Sequence, residues 1–428
     1  MKLFRPRKEV YLDFASITPV DPRVMKEIVR VTNKVYANPS SLHRGGVAAK
    51  AIMEASRHSV AEVLHAHADE IFFTGSGTEA NNIAIQGVLL APETRAYVAH
   101  TKSSTPAESV KSNKPMHVLV SAIEHASVLE QVDELSKRLG NTIVVEQILV
   151  HENGIVNLDC LKTLLRPETV LVSVMMVNNE IGTIQPIHSV AKVVRDYRKS
   201  IGSVYYPFVH TDACQAALYM DINLEKLGVD LLTLDSNKVY GPRGLGVLYK
   251  KRSVEIGKFI VPVLLGGGQE DGLRPSTENV PAIAGFTKAM AIARDERGSS
   301  EDKTGDGIAT GEVVRLTKLR DYFIKTLIHR HAGTRVNGSH APHERIANNV
   351  NVTFPNIDHE YFVLELDARG VACSTKSACL RDADTSYVIT AIRNTEGQSV
   401  RFSLGRTTTK RDIDETLKII DEIMLLHV

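Results

Sequence analysis

The sequence predicts an α/β fold with a large, mainly parallel sheet domain and a smaller α+β domain. Short apolar runs at 71–74, 117–123, 143–150, 170–177, 208–211 and 231–234 are separated by stretches with aliphatics at helical spacing. That alternation is the pattern of a parallel sheet covered on both faces. A polar residue follows an apolar run repeatedly, at Thr74, His125, Asn179, Asp212 and Lys238. Open α/β sheets bind ligands outside the carboxyl ends of their strands, so these residues point to one functional rim. The length, 428 residues, suffices for a large domain and a second core.

In chain order, 13–22 is turn-rich, and helical patterns run over 22–36 and 47–64, with a polar loop from Asn38 to His43 between them. The strand pattern 71–74 leads through Gly75-Ser76-Gly77-Thr78 into a helix over 83–90. Residues 91–115 are polar and without period, and read as a surface insertion. After 231–234 comes Asp235-Ser236-Asn237-Lys238-Val239-Tyr240, then a Gly-Pro-Arg-Gly-Leu-Gly hairpin signal and the apolar Val247-Leu248-Tyr249. A long helix is expected to run through Arg297, followed by a polar linker over 298–307. In the remainder, 349–354 and 399–404 alternate like half-buried strands, and 409–426 begins with Thr-x-x-Asp like a capped amphipathic helix.

Composition excludes several classes. A formal net charge of +1 gives no electrostatic basis for direct nucleic-acid binding or for an acidic membrane surface. No apolar run approaches the roughly 18 residues of a membrane span. Residues 1–8 are basic but have no apolar centre, so they read as neither a secretory signal nor a transit peptide. Four cysteines, Cys160, Cys214, Cys373 and Cys379, make neither a disulfide framework nor a zinc spacing, and a reducing cytoplasm is the expected compartment.

Lys238 at the end of a buried strand is either a side chain that reaches back to water or a Schiff-base amine, since a buried lysine becomes nucleophilic as its pKa falls. The second reading requires companions, and the rim supplies candidates for a pyridoxal phosphate site. Asp212 suits the pyridinium nitrogen, His125 a planar cover for the ring, and Asn179 or Gln215 the ring hydroxyl. The turn at Gly77 and Thr78 opens a helix and suits the phosphate. Arg401 suits an amino-acid carboxylate. Cys379 lies in a polar loop with Lys376 and Arg381, where a thiolate is favoured.

Together these residues resemble the cysteine desulfurases that feed iron–sulfur cluster assembly and tRNA thiolation. The resemblance runs over nearly the whole chain. Its motifs are Tyr11-Leu12-Asp13, Asn38-Pro39-Ser40-Ser41, Gly77-Thr78-Glu79, Glu124-His125, Asn178-Asn179-Glu180, Asp212 with Gln215, Lys238-Val239-Tyr240-Gly241-Pro242, Gly266-Gly267-Gly268, Ser377-Ala378-Cys379 and Arg401-Phe402-Ser403-Leu404-Gly405-Arg406. It implies the fold of type I pyridoxal phosphate transferases, aspartate-aminotransferase-like, as a homodimer with its active site at the subunit interface. It also implies a large domain at 18–297 and a small one combining 1–17 with 298–428.

The roles the resemblance implies are these. Lys238 bonds pyridoxal 5′-phosphate and moves protons at Cα. Asp212 pairs the pyridinium, His125 stacks and exchanges protons, and Asn179 and Gln215 contact the ring oxygen. Gly77 and Thr78 bind phosphate, with Asp235 and Asn237 beside it, and Thr277 reaches the partner subunit's phosphate. Asn38 and Arg401 hold the carboxylate of L-cysteine. Cys379 takes the sulfur as a persulfide, alanine leaves, and an iron–sulfur scaffold or sulfur-carrier protein receives the sulfur. The chain departs from the family at Asp235, usually serine, at Asn237, usually histidine, at Lys376, usually glycine, at Pro275-Ser276, usually Ser-Gly, and at Asp271, usually arginine. A selenocysteine lyase or other β-eliminase, or a catalytically impaired sulfur-transfer scaffold, are the alternative readings.

Overall fold

Strand runs buried on both faces need helices above and below them, and the chain meets that need around one seven-stranded sheet. The computed structural model describes residues 9–100, 114–298, 311–341, 343–375, 385–392 and 398–426. Its strands are β1 (Val10–Tyr11), β2 (Ile71–Thr74), β3 (Met116–Ser121), β4 (Ile143–Ile148), β5 (Thr169–Ser173), β6 (Phe208–Asp212), β7 (Leu231–Asp235), β8 (Gly246–Lys250), β9 (Arg335–Val336), β10 (Asn349–Thr353), β11 (Val371–Ala372) and β12 (Val400–Ser403). The large sheet has the order β2-β8-β7-β6-β5-β3-β4. Only β8 runs against its neighbours; the other pairings are parallel.

Successive side chains feed two cores, as the two-residue period of a strand dictates. Phe72, Val118, Phe208 and Leu248 lie on one face with Ile83 and Val88 of the helix Gly77–Leu89. Phe73, Leu119, Val209 and Val247 lie on the other, where Phe286 and Met290 of the helix Val280–Arg297 belong to the same core. A three-stranded antiparallel sheet, β12-β10-β9, and a two-stranded parallel pair, β1-β11, stand apart from the large sheet. In the first, Arg401 is registered opposite Asn351.

The β7–β8 hairpin, the long helix to Arg297 and the capped C-terminal helix Lys410–Met424 match the expectations. Thr409 and Asp412 form the reciprocal cap that Thr-x-x-Asp predicts. The run at 170–177 is a strand only to Ser173; beyond it the chain follows β6 through Val174 and Met176 amides bonded to His210 and Asp212 carbonyls. The stretch 91–115 is corrected in part, because Pro92–His100 is a helix. Its apolar face is short: Val98 is buried, Thr94 bonds Tyr206, and the Tyr97 ring lies 4.5 Å from that of Tyr206. Residues 101–113, most of the expected linker, and the Cys379 loop with Lys376 and Arg381 lie outside the described residues. No helix among the described residues is long and apolar enough to cross a membrane.

Candidate active site

The carboxyl ends of β2, β3, β5, β6 and β7 meet at a cleft of about 200 Å³, whose walls include Gly77, Thr78, His125, Asn179, Asp212, Gln215, Asp235, Asn237, Lys238 and Arg401. Asn38 and Thr277 are not in this wall; both are exposed. Asn38 turns back on its own loop, accepting from the Ser40 amide at 2.8 Å.

Lys238 sits on a tight turn that the N-terminal segment laces in place. Thr18 donates its amide and hydroxyl to the Asn237 carbonyl, and its hydroxyl accepts the Tyr240 amide. Tyr240 has φ +62°, a strained conformation for a bulky residue. Arg406 holds it there, with its guanidinium 4.2 Å from the ring centre and its amide bonded to the phenol oxygen at 2.8 Å. The Lys238 ammonium donates to the carbonyls of Ala15 (3.1 Å) and Ser16. Burial lowers its pKa, Asp235 opposes that shift, and Arg401 adds to it. This is the environment of a lysine tuned toward nucleophilic amine chemistry.

Asp212 is fixed from two sides. Its Oδ1 accepts the Cys214 amide at 2.9 Å, and its Oδ2 accepts from the Asn81 side chain at 2.8 Å. The same Asn81 nitrogen donates to Ser127 Oγ at 2.8 Å, and Ser127 Oγ lies 2.8 Å from His125 Nδ1. The Ser127 amide also donates to Nδ1, at 3.1 Å. An amide can only donate, so Nδ1 is an acceptor and the neutral ring carries its proton on Nε2. One asparagine thus ties the carboxylate to the histidine. Ser127→Ala removes the hydroxyl that orients the ring. It should lower kcat by about three- to tenfold with little change in KM. An unchanged kcat and pH profile would show that the ring is oriented without it.

Beneath His125, Glu124 is fully buried. Its Oε1 accepts from Ser121 Oγ (2.5 Å) and the Met175 amide (2.6 Å), and Oε2 has no partner among the described residues. Burial, aided by the Asp212 charge, raises its pKa from 4.5 to about 8. The folded chain then keeps a proton that the unfolded chain releases, so this stabilisation is complete below about pH 4.5 and is lost as pH rises through about 8. The loss is on the order of a few kcal/mol. Glu124→Gln keeps the shape without the proton. Its melting temperature should fall less than the wild type's between about pH 5 and pH 9; parallel curves would remove Glu124 as the titrating group.

The helix Gly77–Leu89 begins at the cleft, with Ser76 as its cap accepting the Glu79 amide. A side chain at Gly77 would meet Cys214 Sγ at 2.8 Å and Asp235 Cβ at 3.1 Å, so only glycine brings the backbone this close. The Gly77 amide donates to Asp235 Oδ2 at 2.9 Å. Opposite, Arg401 is buried and donates to the Asn179 carbonyl (3.0 Å), Ser16 Oγ (2.7 Å) and Asp13 (2.8 Å). Its Nε and Asn237 Oδ1 are buried without partners among the described residues.

These residues fit pyridoxal phosphate. A half-buried amine faces a positioned carboxylate across one cleft, an imidazole donor flanks it, a helix N-terminus opens on it, and buried polar atoms of Arg401 and Asn237 are left for a ligand. Among the described residues no group of acidic, histidine or cysteine side chains could hold a metal ion. Sequence reasoning missed Ala15, Ser16, Asn81 and Ser127. Asn81 stands one turn after Thr78 on the helix that opens at the cleft, and that spacing was the available signal.

The aminotransferase class-V family model matches residues 10–416. The chain is 37% identical to the cysteine desulfurase IscS of Dictyoglomus turgidum, over 98% of this chain and 95% of that protein. Among solved structures it resembles a NifS-like protein with a TM-score of 0.80 and 31% identity, covering 98% of this chain and 100% of that one. It also resembles SspA in complex with cysteine, with a TM-score of 0.71 and 27% identity, covering 92% and 98%. With a pyridoxal phosphate-type cleft at the rim of this sheet and likeness over nearly its full length, the chain belongs to the class-V aminotransferase family, in its cysteine desulfurase branch.

Proposed function

We propose that the Lys238 cleft converts L-cysteine to L-alanine and passes the sulfur to Cys379 for iron–sulfur cluster assembly. The observation that carries this reading is the convergence of amine, carboxylate, imidazole and arginine on one cleft whose wall is joined to the root of the Cys379 segment. The Arg401 amide donates to the Ser374 carbonyl at 2.6 Å, and the Ser374 amide donates back at 3.1 Å. Five residues from Ser374, a chain can reach at most about 17 Å, so Cys379 is tethered within reach of the substrate arginine.

Pyridoxal phosphate, when bound, supplies the electron sink that makes the substrate Cα–H acidic. Asp212 keeps a negative charge at the ring-nitrogen side, and Asn81 keeps Asp212 in place. The Lys238 amine takes the Cα proton, and His125 offers its Nε2 proton on the neighbouring face. Arg401 receives the carboxylate in exchange for part of its Asp13 contact. The Cys379 thiolate attacks the substrate sulfur, the carbon–sulfur bond breaks, and a proton replaces sulfur on the carbon. Cysteine and one thiol become alanine and one persulfide, with no outside oxidant. Cys214 and Cys373 do not compete, because burial raises both thiol pKa values.

The subunit arrangement is a homodimer. Asn38 and Thr277 are exposed, and so are Tyr36 (92%), Leu42 (97%) and Leu265 (89%) on the same loops. Such apolar loop tips suit burial by a second chain, which would bring Thr277 to the partner subunit's phosphate. The sulfur then passes to an iron–sulfur scaffold or a sulfur-carrier protein, in a reducing compartment such as the cytoplasm, where Cys379 stays a thiol. A division into 18–297 and 1–17 with 298–428 is supported by the grouping of strands into one large sheet and two small ones.

The holoenzyme, given L-cysteine without reductant, should form one alanine for each persulfide on Cys379. Pyruvate and ammonia in place of alanine would identify a β-eliminase and contradict this reading.

A further inference from the structure

Asp235 sets a carboxylate at the helix terminus that the proposed cofactor phosphate would use. Its carboxylate bridges two backbone amides, Gly77 to Oδ2 and Asn237 to Oδ1, both at 2.9 Å. The first amide opens the helix Gly77–Leu89, and the second belongs to the lysine turn. Two converging N–H groups at the positive end of a helix dipole make an anion seat. In this chain the seat holds an anion of the protein itself. A phosphate delivered to the same helix terminus must displace Asp235 Oδ2 from the Gly77 amide or lie against its charge. The cations of the cleft wall, Lys238 and Arg401, have other tasks there; at the mouth of the helix Arg274 is committed to Glu79 at 2.6 Å, and Glu79 adds a second carboxylate on the Gly75 amide at 3.0 Å.

We propose that Asp235 is a built-in competitor for the cofactor's phosphate, so that this chain binds pyridoxal phosphate loosely and exchanges it. The proposal rests on the Lys238 cleft being the cofactor site. It separates the contribution of the phosphate from that of the aldehyde: any effect of Asp235 on the Lys238 amine acts on every aldehyde alike, whereas only a phosphate-bearing one meets the Asp235 charge at the Gly77 amide. Cofactor occupancy then follows the free cofactor concentration instead of being fixed at folding.

The test is a titration of the full-length chain, freed of cofactor, with pyridoxal phosphate and separately with pyridoxal, which lacks the phosphate. Binding is read as the visible absorbance that Lys238→Ala abolishes. Asp235→Ser and Asp235→Asn should each tighten pyridoxal phosphate by roughly tenfold or more relative to pyridoxal, whose own change reports the effect on the Lys238 amine. The asparagine variant keeps an acceptor for the amides, so a serine variant that fails to fold does not end the test. Unchanged or weaker phosphate-ligand binding in the folded variants, with pyridoxal unaltered, overturns the proposal. Equal changes for both ligands also overturn it, because Asp235 would then act only as a cap. Absence of Lys238-dependent absorbance with either ligand overturns the cleft reading itself.

Discussion

Lys238→Ala should yield a folded, colourless chain that no longer forms alanine from L-cysteine, with activity reduced by roughly 10³-fold or more. The size of the effect follows from two tasks performed by one atom. Among the described residues the Nζ is the only lysine amine in the cleft wall, and in the proposed mechanism it is also the base at Cα. The fold should tolerate the change, because the turn is held by backbone bonds of Thr18, Asn237 and Tyr240, while the ammonium contacts only the Ala15 and Ser16 carbonyls. Removing a half-buried ammonium also removes a desolvation penalty, so the melting temperature should stay within a few degrees. Retained activity in this variant would move the chemistry to another residue.

Cys379→Ser should keep the cofactor colour and lose the persulfide, with sulfide release in the presence of a dithiol falling by about 100-fold or more. A hydroxyl at neutral pH is neither ionised nor able to hold sulfane sulfur. No described cysteine can substitute: Cys214 lines the cleft but is held as a thiol by burial and by the charges of Asp212 and Asp235, and the Cys373 thiol is held up chiefly by burial and Asp13. Cys160 lies on the helix Leu158–Leu164, outside the cleft wall. Full sulfide release by the serine variant would mean that the substrate sulfur leaves directly and that the residue-level proposal is wrong.

Much of the rim was legible because side-chain chemistry and strand pattern coincide there. The apolar run before Asp235, with Gly241, Pro242 and Gly244 after Lys238, predicts a lysine at a strand end, and β7, the turn and β8 follow that reading. What stayed hidden falls into three physical kinds. The Ala15 and Ser16 carbonyls that receive Lys238 are backbone groups with no side-chain signature. Asn81 and Ser127 lie on helices, where polar residues read as solvated surface until their partners are known. The Arg401–Asp13 pair joins residues 388 positions apart, beyond any local pattern. Asp235 shows the limit most clearly: its place three residues before Lys238 at the strand end was readable, but its bond to the Gly77 amide was not.

Borohydride reduction of the cofactor-loaded protein, followed by peptide mapping, tests the central claim most directly, because reduction locks the cofactor onto the amine it is bonded to. On that claim, the added mass should appear on the peptide carrying Lys238, in near one-to-one ratio with the chain. Mass on a different lysine, or none on any peptide from a protein saturated with pyridoxal phosphate, would contradict it.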